Sequence, residues 1–73
     1  MTAYVVIVAQ RPPADPFAAK YVEADSAEEA GQKTGGHFVH VYEDAGHDSV
    51  VHTETSNGVE TKYPLLIEDR PSA

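Results

Sequence analysis

The sequence predicts a small α+β domain, an antiparallel sheet with one short helix in the order β-β-α-β-β-β. Three observations predict it. Segment 2–10 has apolar residues at both its odd and its even positions, Ser26 begins a helix-capping pattern, and Asn57-Gly58 separates two runs rich in β-branched residues. A chain of 73 residues has room for one thin core. We expect a single domain over 1–67 and a flexible C-terminal tail over 68–73.

The first two strands form a predicted hairpin. Because the segment 2–10 is apolar on both sides, it is typical of a central strand covered on both faces. The three prolines in 11–16 remove backbone donors and favour extended geometry, so the first strand ends there in a stiff loop. Segment 17–24 then resumes a strand-like pattern and is the predicted hairpin partner.

One helix is predicted over 27–34. Ser26 and Glu29 have the spacing of a capping box, in which the Ser26 hydroxyl accepts a hydrogen bond from the Glu29 amide. Gly35-Gly36 is predicted to end the helix. The inward stripe of this helix consists of small residues, so the helix approaches a sheet closely but covers only part of one face.

Three strands are predicted in the second half. Segments 37–43 and 49–56 are expected to pair as antiparallel neighbours across the turn 44–48. A type I′ turn at Asn57-Gly58 fixes the next register. It pairs Ser56 with Val59, Glu54 with Thr61, His52 with Tyr63 and Val50 with Leu65. Pro64 indicates that the last strand is an edge or ends there.

If the loop closes between Glu43 and Ser49, the pairing of 37–43 with 49–56 places His40 opposite His52, with Glu54 and Tyr63 on the same face, whereas a shift of one residue in the loop moves His40 away. Two imidazoles and a carboxylate could hold zinc, but no third histidine is placed there, and we predict no metal site and no cofactor. No catalytic residue is predicted either. The predicted partner-binding residues are Phe38, His40, Tyr42, His52, Tyr63 and Leu65.

Composition argues against several functional classes. Five basic against twelve acidic residues give a formal charge of -7, which opposes direct contact with nucleic acid or an anionic membrane. The chain has no cysteine, which excludes disulfides, thiolate zinc sites and cysteine nucleophiles and favours a cytoplasmic location. The acidic residues are spread through every element, so they favour a solvated surface over mimicry of a DNA phosphate track. The apolar run 3–9 is too short for a transmembrane helix.

A run of large aliphatic residues, Pro64-Leu65-Leu66-Ile67, lies near the C-terminus. These side chains must be buried in the domain, in a second copy or in a partner, and completion of the last strand is the simplest account. Because one short helix covers only one face, the other face or a sheet edge is expected to leave an apolar patch. Such a patch predicts association, with a symmetric homodimer as the commonest solution and a protein partner as the next.

The function predicted from these features is that of a small, acidic, non-enzymatic protein-binding module, either an accessory subunit or an inhibitor of a larger protein. It would dock through an apolar and aromatic sheet face, with Phe38, Tyr42 and Tyr63 as anchors. The residue usage indicates a GC-rich genome, and a phage or mobile-element protein from such a host would fit. The alternative is a dimeric small-molecule-binding or catalytic α+β protein whose site lies at the subunit interface, with His40 or His52 as the base.

Overall fold

The computed structural model describes residues 1–71, in which the elements follow the predicted order and form an α+β fold. The strands are β1 (Thr2–Ala9), β2 (Phe17–Ala24), β3 (Phe38–Glu43), β4 (Ser49–Ser56) and β5 (Val59–Glu68), and helix α1 is Ala27–Lys33. Residues 72 and 73, the end of the predicted tail, lie outside the described residues.

The five strands form one sheet in the order β3-β1-β2-β5-β4. The sheet is mixed and not wholly antiparallel as predicted, because β2 and β5 pair in parallel while the other three pairs are antiparallel. The predicted hairpin of β1 and β2 is confirmed, with Thr2 opposite Ala24 and Ala9 opposite Phe17. The predicted pairing of β3 with β4 is wrong, because β3 pairs with the other side of β1 and the chain then crosses to the far end of the sheet. The physical reason is that β1, which is apolar on both faces, is buried best with a strand on each side.

Helix α1 packs against β1, β2 and β3, and we call this side of the sheet the helix-side face. Ser26 caps the helix as predicted, since its Oγ accepts a hydrogen bond of 3.1 Å from the Glu29 amide. The helix ends at Lys33, one residue before the predicted end, and Thr34 forms the C-cap. The small residues of α1 permit close packing, and the buried cluster beneath it comprises Val6, Val8, Ala18, Ala24 and Ala30.

Phe38 lies on the helix-side face, which corrects the prediction that it is an anchor on the same sheet face as Tyr42 and Tyr63. Ile7 pairs with His40, but Val8 pairs with Phe38, so β3 carries one extra residue at Val39. Such a bulge reverses the direction of the side chains that precede it. The Phe38 ring consequently packs over Gly31, where an added Cβ would lie 2.6 Å from Phe38 Cζ.

Replacing Gly31 with alanine is expected to destabilise the fold in the wild type and to stabilise it once Phe38 is removed. In the wild type the new methyl group displaces the Phe38 ring, at a cost of about 1–3 kcal/mol for overpacking. In a Phe38→Ala background the same change contributes about 1 kcal/mol, because alanine favours a helix over glycine. Urea unfolding of all four variants measures the two effects, and a Gly31→Ala change of equal sign in both backgrounds would contradict the contact.

The opposite side of the sheet, which we call the far face, has its own buried cluster of Val5, Ile7 and Ala19. Tyr42 from β3 and Val50 from β4 both pack against this cluster, although their strands lie at opposite edges of the sheet. The sheet therefore curls toward the far face and covers it with its own side chains. This curling is what allows Ile7 to be fully buried on a face without a helix.

The β4–β5 hairpin has the predicted register. Asn57 and Gly58 both have positive φ angles, 52° and 77°, as a type I′ turn requires, and Ser56, Glu54, His52 and Val50 face Val59, Thr61, Tyr63 and Leu65. The position of β5 differs from the expectation for Pro64, because this strand lies between β2 and β4 and continues to Glu68.

Pro64 is accommodated because β2 and β5 meet only at Ala19–Ile67 and Lys20–Glu68. The Ile67 amide donates to the Asp48 carbonyl on the β4 side. Since alternate residues of a strand point their amides in opposite directions, the Pro64 nitrogen faces away from β4, toward the gap between β5 and β2. Locally, Pro64 therefore occupies a free strand edge, as its missing amide requires.

An ion pair fixes the crossing from β3 to β4. The Arg70 guanidinium binds both carboxylate oxygens of Asp44, with Nη1 at 2.9 Å from Oδ2, and also donates to the His47 carbonyl at 2.7 Å. The guanidinium carbon of Arg70, Cζ, lies 5.3 Å from the centroid of the Tyr21 ring. The hydrogen bonds from Arg70 lower the pKa of Asp44 below its ordinary value. Arg70 belongs to the segment predicted as a tail, and it ties that segment to the loop 44–48.

Candidate protein-docking site

An apolar patch lies on the helix-side face of the β4–β5 hairpin, beyond the strands that α1 covers. Val51 is opposite Pro64, and Leu66, opposite Ser49, is the next residue on the same face. Leu66 is 76% exposed and Val51 is 54% exposed. We call Val51, Pro64 and Leu66 the outer patch. The patch exists because α1 packs against β1, β2 and β3, at the other end of the sheet.

A cleft adjoins the outer patch where β2 and β5 diverge. It has a volume of about 310 Å³, and Pro64 and Leu66 form part of its wall. The acidic residues Asp15 and Glu68 also line it. The cleft follows from the fold: the stiff loop before β2 and the missing amide of Pro64 leave β2 and β5 paired over only two residues each. Apolar and acidic groups thus meet at one open site.

An aromatic cluster on the far face closes the inner side of the hairpin. The Phe17 ring lies edge-on to His52 and to Tyr63, with centroid distances of 4.7 and 5.0 Å. His52 is only 4% exposed, and neither of its ring nitrogens has a hydrogen-bond partner within residues 1–71. Its Nε2 lies 3.3 Å from Glu54 Oε1, a carboxylate that is itself half exposed. A polar ring is therefore buried without hydrogen bonds, which costs free energy.

The six predicted partner-binding residues do not form one surface. Phe38 lies on the helix-side face and packs over Gly31. Tyr42 and Leu65 are half-buried against the far-face cluster, and Tyr63 is half-buried beside Phe17. His40 is exposed on the far face, and His52 is buried there. Whether any of the six contacts a partner stays a prediction.

His40 and His52, whose proximity the sequence left open, are far apart in the structure. These histidines lie on β3 and β4, the two edge strands, with three strands between them. His40 instead contacts Tyr42 on its own strand, at a centroid distance of 4.3 Å. Within residues 1–71 no group of three or more histidine, cysteine or acidic side chains is arranged to hold a metal ion. The two histidines are apart because β3 pairs with β1, whereas only adjacent β3 and β4 strands would bring the imidazoles together.

The outer patch is only partly predictable from the sequence. The aliphatic run from Pro64 to Ile67 was a usable signal, because strand alternation sends Leu65 and Ile67 to one face and Leu66 to the other. Leu65 and Ile67 pack against the far-face cluster, which leaves Leu66 exposed. The predicted hairpin register already placed Val51 opposite Pro64, but only the strand order and the reach of α1 show that this face of the hairpin is left uncovered.

Compared with protein-family models, with curated proteins and with solved structures, the chain matches none. The helix in the described part of the chain is neither long nor apolar enough to cross a membrane.

Proposed function

We propose that this protein is an acidic, non-enzymatic protein-binding module that docks on a larger protein through the outer patch and the adjoining cleft. The observation that carries the proposal is the exposure of Leu66, at 76%, next to the exposed Val51 and Pro64. Either role considered for such a module, accessory subunit or inhibitor, fits this surface. The lack of cysteine favours the cytoplasm as its compartment.

The contiguity of the outer patch supports docking more than the exposure of any single residue does. Isolated apolar side chains are common on protein surfaces, whereas adjacent ones on neighbouring strands are typical of interaction sites. Val51 and Pro64 are cross-strand neighbours, and Leu66 follows Pro64 on the same face of β5. A partner that covers all three removes a continuous apolar surface from water.

The charge of the site indicates the chemistry of the partner. Asp15 and Glu68 line the cleft beside Leu66, and the whole chain carries a formal charge of -7. A complementary surface offers an aliphatic or aromatic side chain to the cleft, flanked by lysine or arginine. Complementary charge of this kind raises the association rate and gives it a dependence on salt.

A charge-insertion experiment tests the proposal. The wild type, Leu66→Glu and Val59→Glu are each immobilised and exposed to lysate of the source organism, and a retained protein is then purified for affinity measurement by calorimetry. Val59 is the matched control, because it is a 64% exposed aliphatic residue of the same hairpin that lies on the far face. We expect Leu66→Glu to weaken binding by about 30-fold or more, as at an interface hot spot, and Val59→Glu to leave it nearly unchanged.

Two results would overturn the proposal. Equal binding by the wild type and Leu66→Glu would show that the outer patch is not the docking site. Saturable binding of a metabolite or metal ion in a thermal-shift screen, with no protein retained, would instead favour the small-molecule alternative.

A further inference from the structure

Besides the short open edge of β2 beyond Lys20, the described sheet has open edges on β3, β5 and β4, and the first two of these carry features that oppose the addition of another strand. Edge strand β3 has the extra residue Val39, which interrupts its regular spacing of backbone groups. The free edge of β5 contains Pro64, which has no amide to donate. Bulges and prolines are the usual devices that protect strand edges from pairing.

The outer edge of β4 has none of these features. It is eight residues long, from Ser49 to Ser56, and contains no proline, glycine, lysine or arginine. The strand is the last in the sheet order, so its side away from β5 is unpaired within residues 1–71. An edge of this kind is a template for an extended strand from another chain.

The orientation of the free backbone groups follows from the hairpin register. Asp48 accepts a hydrogen bond from the Ile67 amide, and the ladder continues without a shift to the turn. The even-numbered residues of β4 therefore direct their amides and carbonyls toward β5. Those of Ser49, Val51, Thr53 and Thr55 point outward, and all four residues are exposed.

The side chains of β4 are complementary to a second copy of β4 in one antiparallel register. With a two-fold axis at Thr53, the outward groups of Thr53 meet those of the other Thr53, and Val51 meets the second copy's Thr55. The same register places His52 opposite the second copy's Glu54, twice by symmetry. Directly opposed side chains have Cβ atoms about 5 Å apart, within reach of an imidazole–carboxylate hydrogen bond.

The two nearest registers on one side lack this complementarity. An axis at His52 sets the two imidazoles opposite each other and Glu54 against the apolar Val50. An axis at Val51 sets Glu54 against Asp48, a pair of like charges, which is destabilising. Of these three registers, the one centred on Thr53 sets the His52 imidazole opposite a carboxylate of the second copy, in addition to the 3.3 Å approach of its Nε2 to Glu54 Oε1 of its own strand.

We propose that two copies of this chain associate through their β4 edges, antiparallel and centred on Thr53, to form one continuous sheet. This interface shares Val51 with the outer patch, but it uses the backbone groups of that residue, whereas the outer patch consists of side chains that stay on the helix-side face after pairing. A failure of the proposed dimer would therefore leave the proposed docking function unaffected, and the reverse also holds.

Single-cysteine variants test the register directly, because the native chain contains no cysteine. In the proposed dimer the two Thr53 Cα atoms are about 5.5 Å apart, which suits a disulfide. The two Val51 Cα atoms are about 14 Å apart, four residues along the strand, which is too far. Under mild oxidation we expect Thr53→Cys to form a disulfide-linked dimer and Val51→Cys to form none, so that the latter runs as a single chain on a denaturing gel. The reverse pattern would overturn the proposed register.

A backbone variant tests the association itself in the native chain. Thr53→Pro removes an amide that faces the second copy and none that faces β5, while Thr53→Ala removes the same hydroxyl and keeps the amide. Sedimentation velocity over a concentration series is expected to show a dimer for the wild type and Thr53→Ala, and a dissociation constant at least tenfold higher for Thr53→Pro. Circular dichroism checks that Thr53→Pro is folded. A wild type that is monomeric at every concentration would overturn the proposal, as would a dimer that tolerates folded Thr53→Pro.

Discussion

Replacing Ile7 with alanine is expected to lower the free energy of unfolding by about 2–5 kcal/mol, the largest stability effect of any substitution considered for this protein. The Ile7 side chain is fully buried in the far-face cluster with Val5 and Ala19. Removal of its outer carbons leaves a cavity that the neighbours only partly fill. Because natural domains are stable by only about 5–15 kcal/mol, the loss is a large fraction of the total.

Urea unfolding followed by circular dichroism measures this effect. Ile7→Val provides a graded comparison, with an expected loss of about 0.5–1.5 kcal/mol. Val39→Ala is the surface control, since Val39 is 42% exposed on the edge strand β3, and we expect a change of no more than about 0.5 kcal/mol. If Ile7→Ala cost no more than Val39→Ala, the far face would not be closed by the curling of the sheet.

Replacing Asp44 with asparagine is expected to lower the melting temperature at neutral pH by roughly 4–8 °C, the shift typical of a moderate destabilisation in a domain of this size. The change removes the charge that Arg70 binds through two nitrogen atoms. The Asp44 side chain is 11% exposed, so water compensates only partly for the lost contact. The loop 44–48, which carries the chain from β3 to β4, loses its link to Arg70.

The effect of Asp44→Asn is expected to depend on pH. The hydrogen bonds from Arg70 lower the pKa of folded Asp44 below the ordinary value of 3.8. A carboxyl group with a lowered folded pKa contributes stability that is complete above the unfolded pKa and is lost as the pH falls through the folded pKa. The difference in melting temperature between wild type and Asp44→Asn should therefore be constant near neutral pH and shrink below about pH 3.8.

Asp48→Asn is the matched control for this titration, because it makes the same charge change in the same loop at an exposed residue. Thermal unfolding of the three proteins in a series of buffers at constant ionic strength gives the comparison. A gap between wild type and Asp44→Asn that persists unchanged in strong acid would mean that the ion pair does not hold the loop.

The two proposed interaction surfaces have different physical origins. The outer patch exists because α1 is short and lies over the other half of the sheet, so side chains on the hairpin are left without cover. The β4 edge exists because β4 is the last strand, so backbone groups are left without partners. A dimer paired through β4 would present two copies of the outer patch on one side of a continuous sheet, and a partner with repeated sites would then bind with higher avidity.

Local features were determined by the sequence itself. The Ser26 cap, the stiff proline loop after β1 and the type I′ turn at Asn57-Gly58 each depend on residues within a few positions of one another. Their energies are set by backbone conformation and short-range hydrogen bonds, which neighbouring residues specify directly. The same is true of the register of the β4–β5 hairpin, because the turn fixes it.

The strand order was decided only by the tertiary structure. Two strands joined by a short turn are most simply predicted to pair with each other. In the structure β3 instead pairs with the side of β1 that β2 leaves free, which buries β1 better. The single extra residue at Val39 then moves Phe38 to the other face, where Gly31 leaves room for its ring. No local pattern encodes these outcomes, because they depend on which arrangement buries the most apolar surface across the whole chain.

The residues of the candidate site were likewise determined partly by the sequence and partly by the tertiary structure. Strand alternation already separates Leu66 from Leu65 and Ile67, so the sequence by itself determines that one of the three faces away from the others. Which face receives cover depends on where a short helix lies and on how far the sheet curls, and these are properties of packing between distant segments. The sequence therefore determined the elements and their alternation, while the tertiary structure decided which of their side chains are left for a partner.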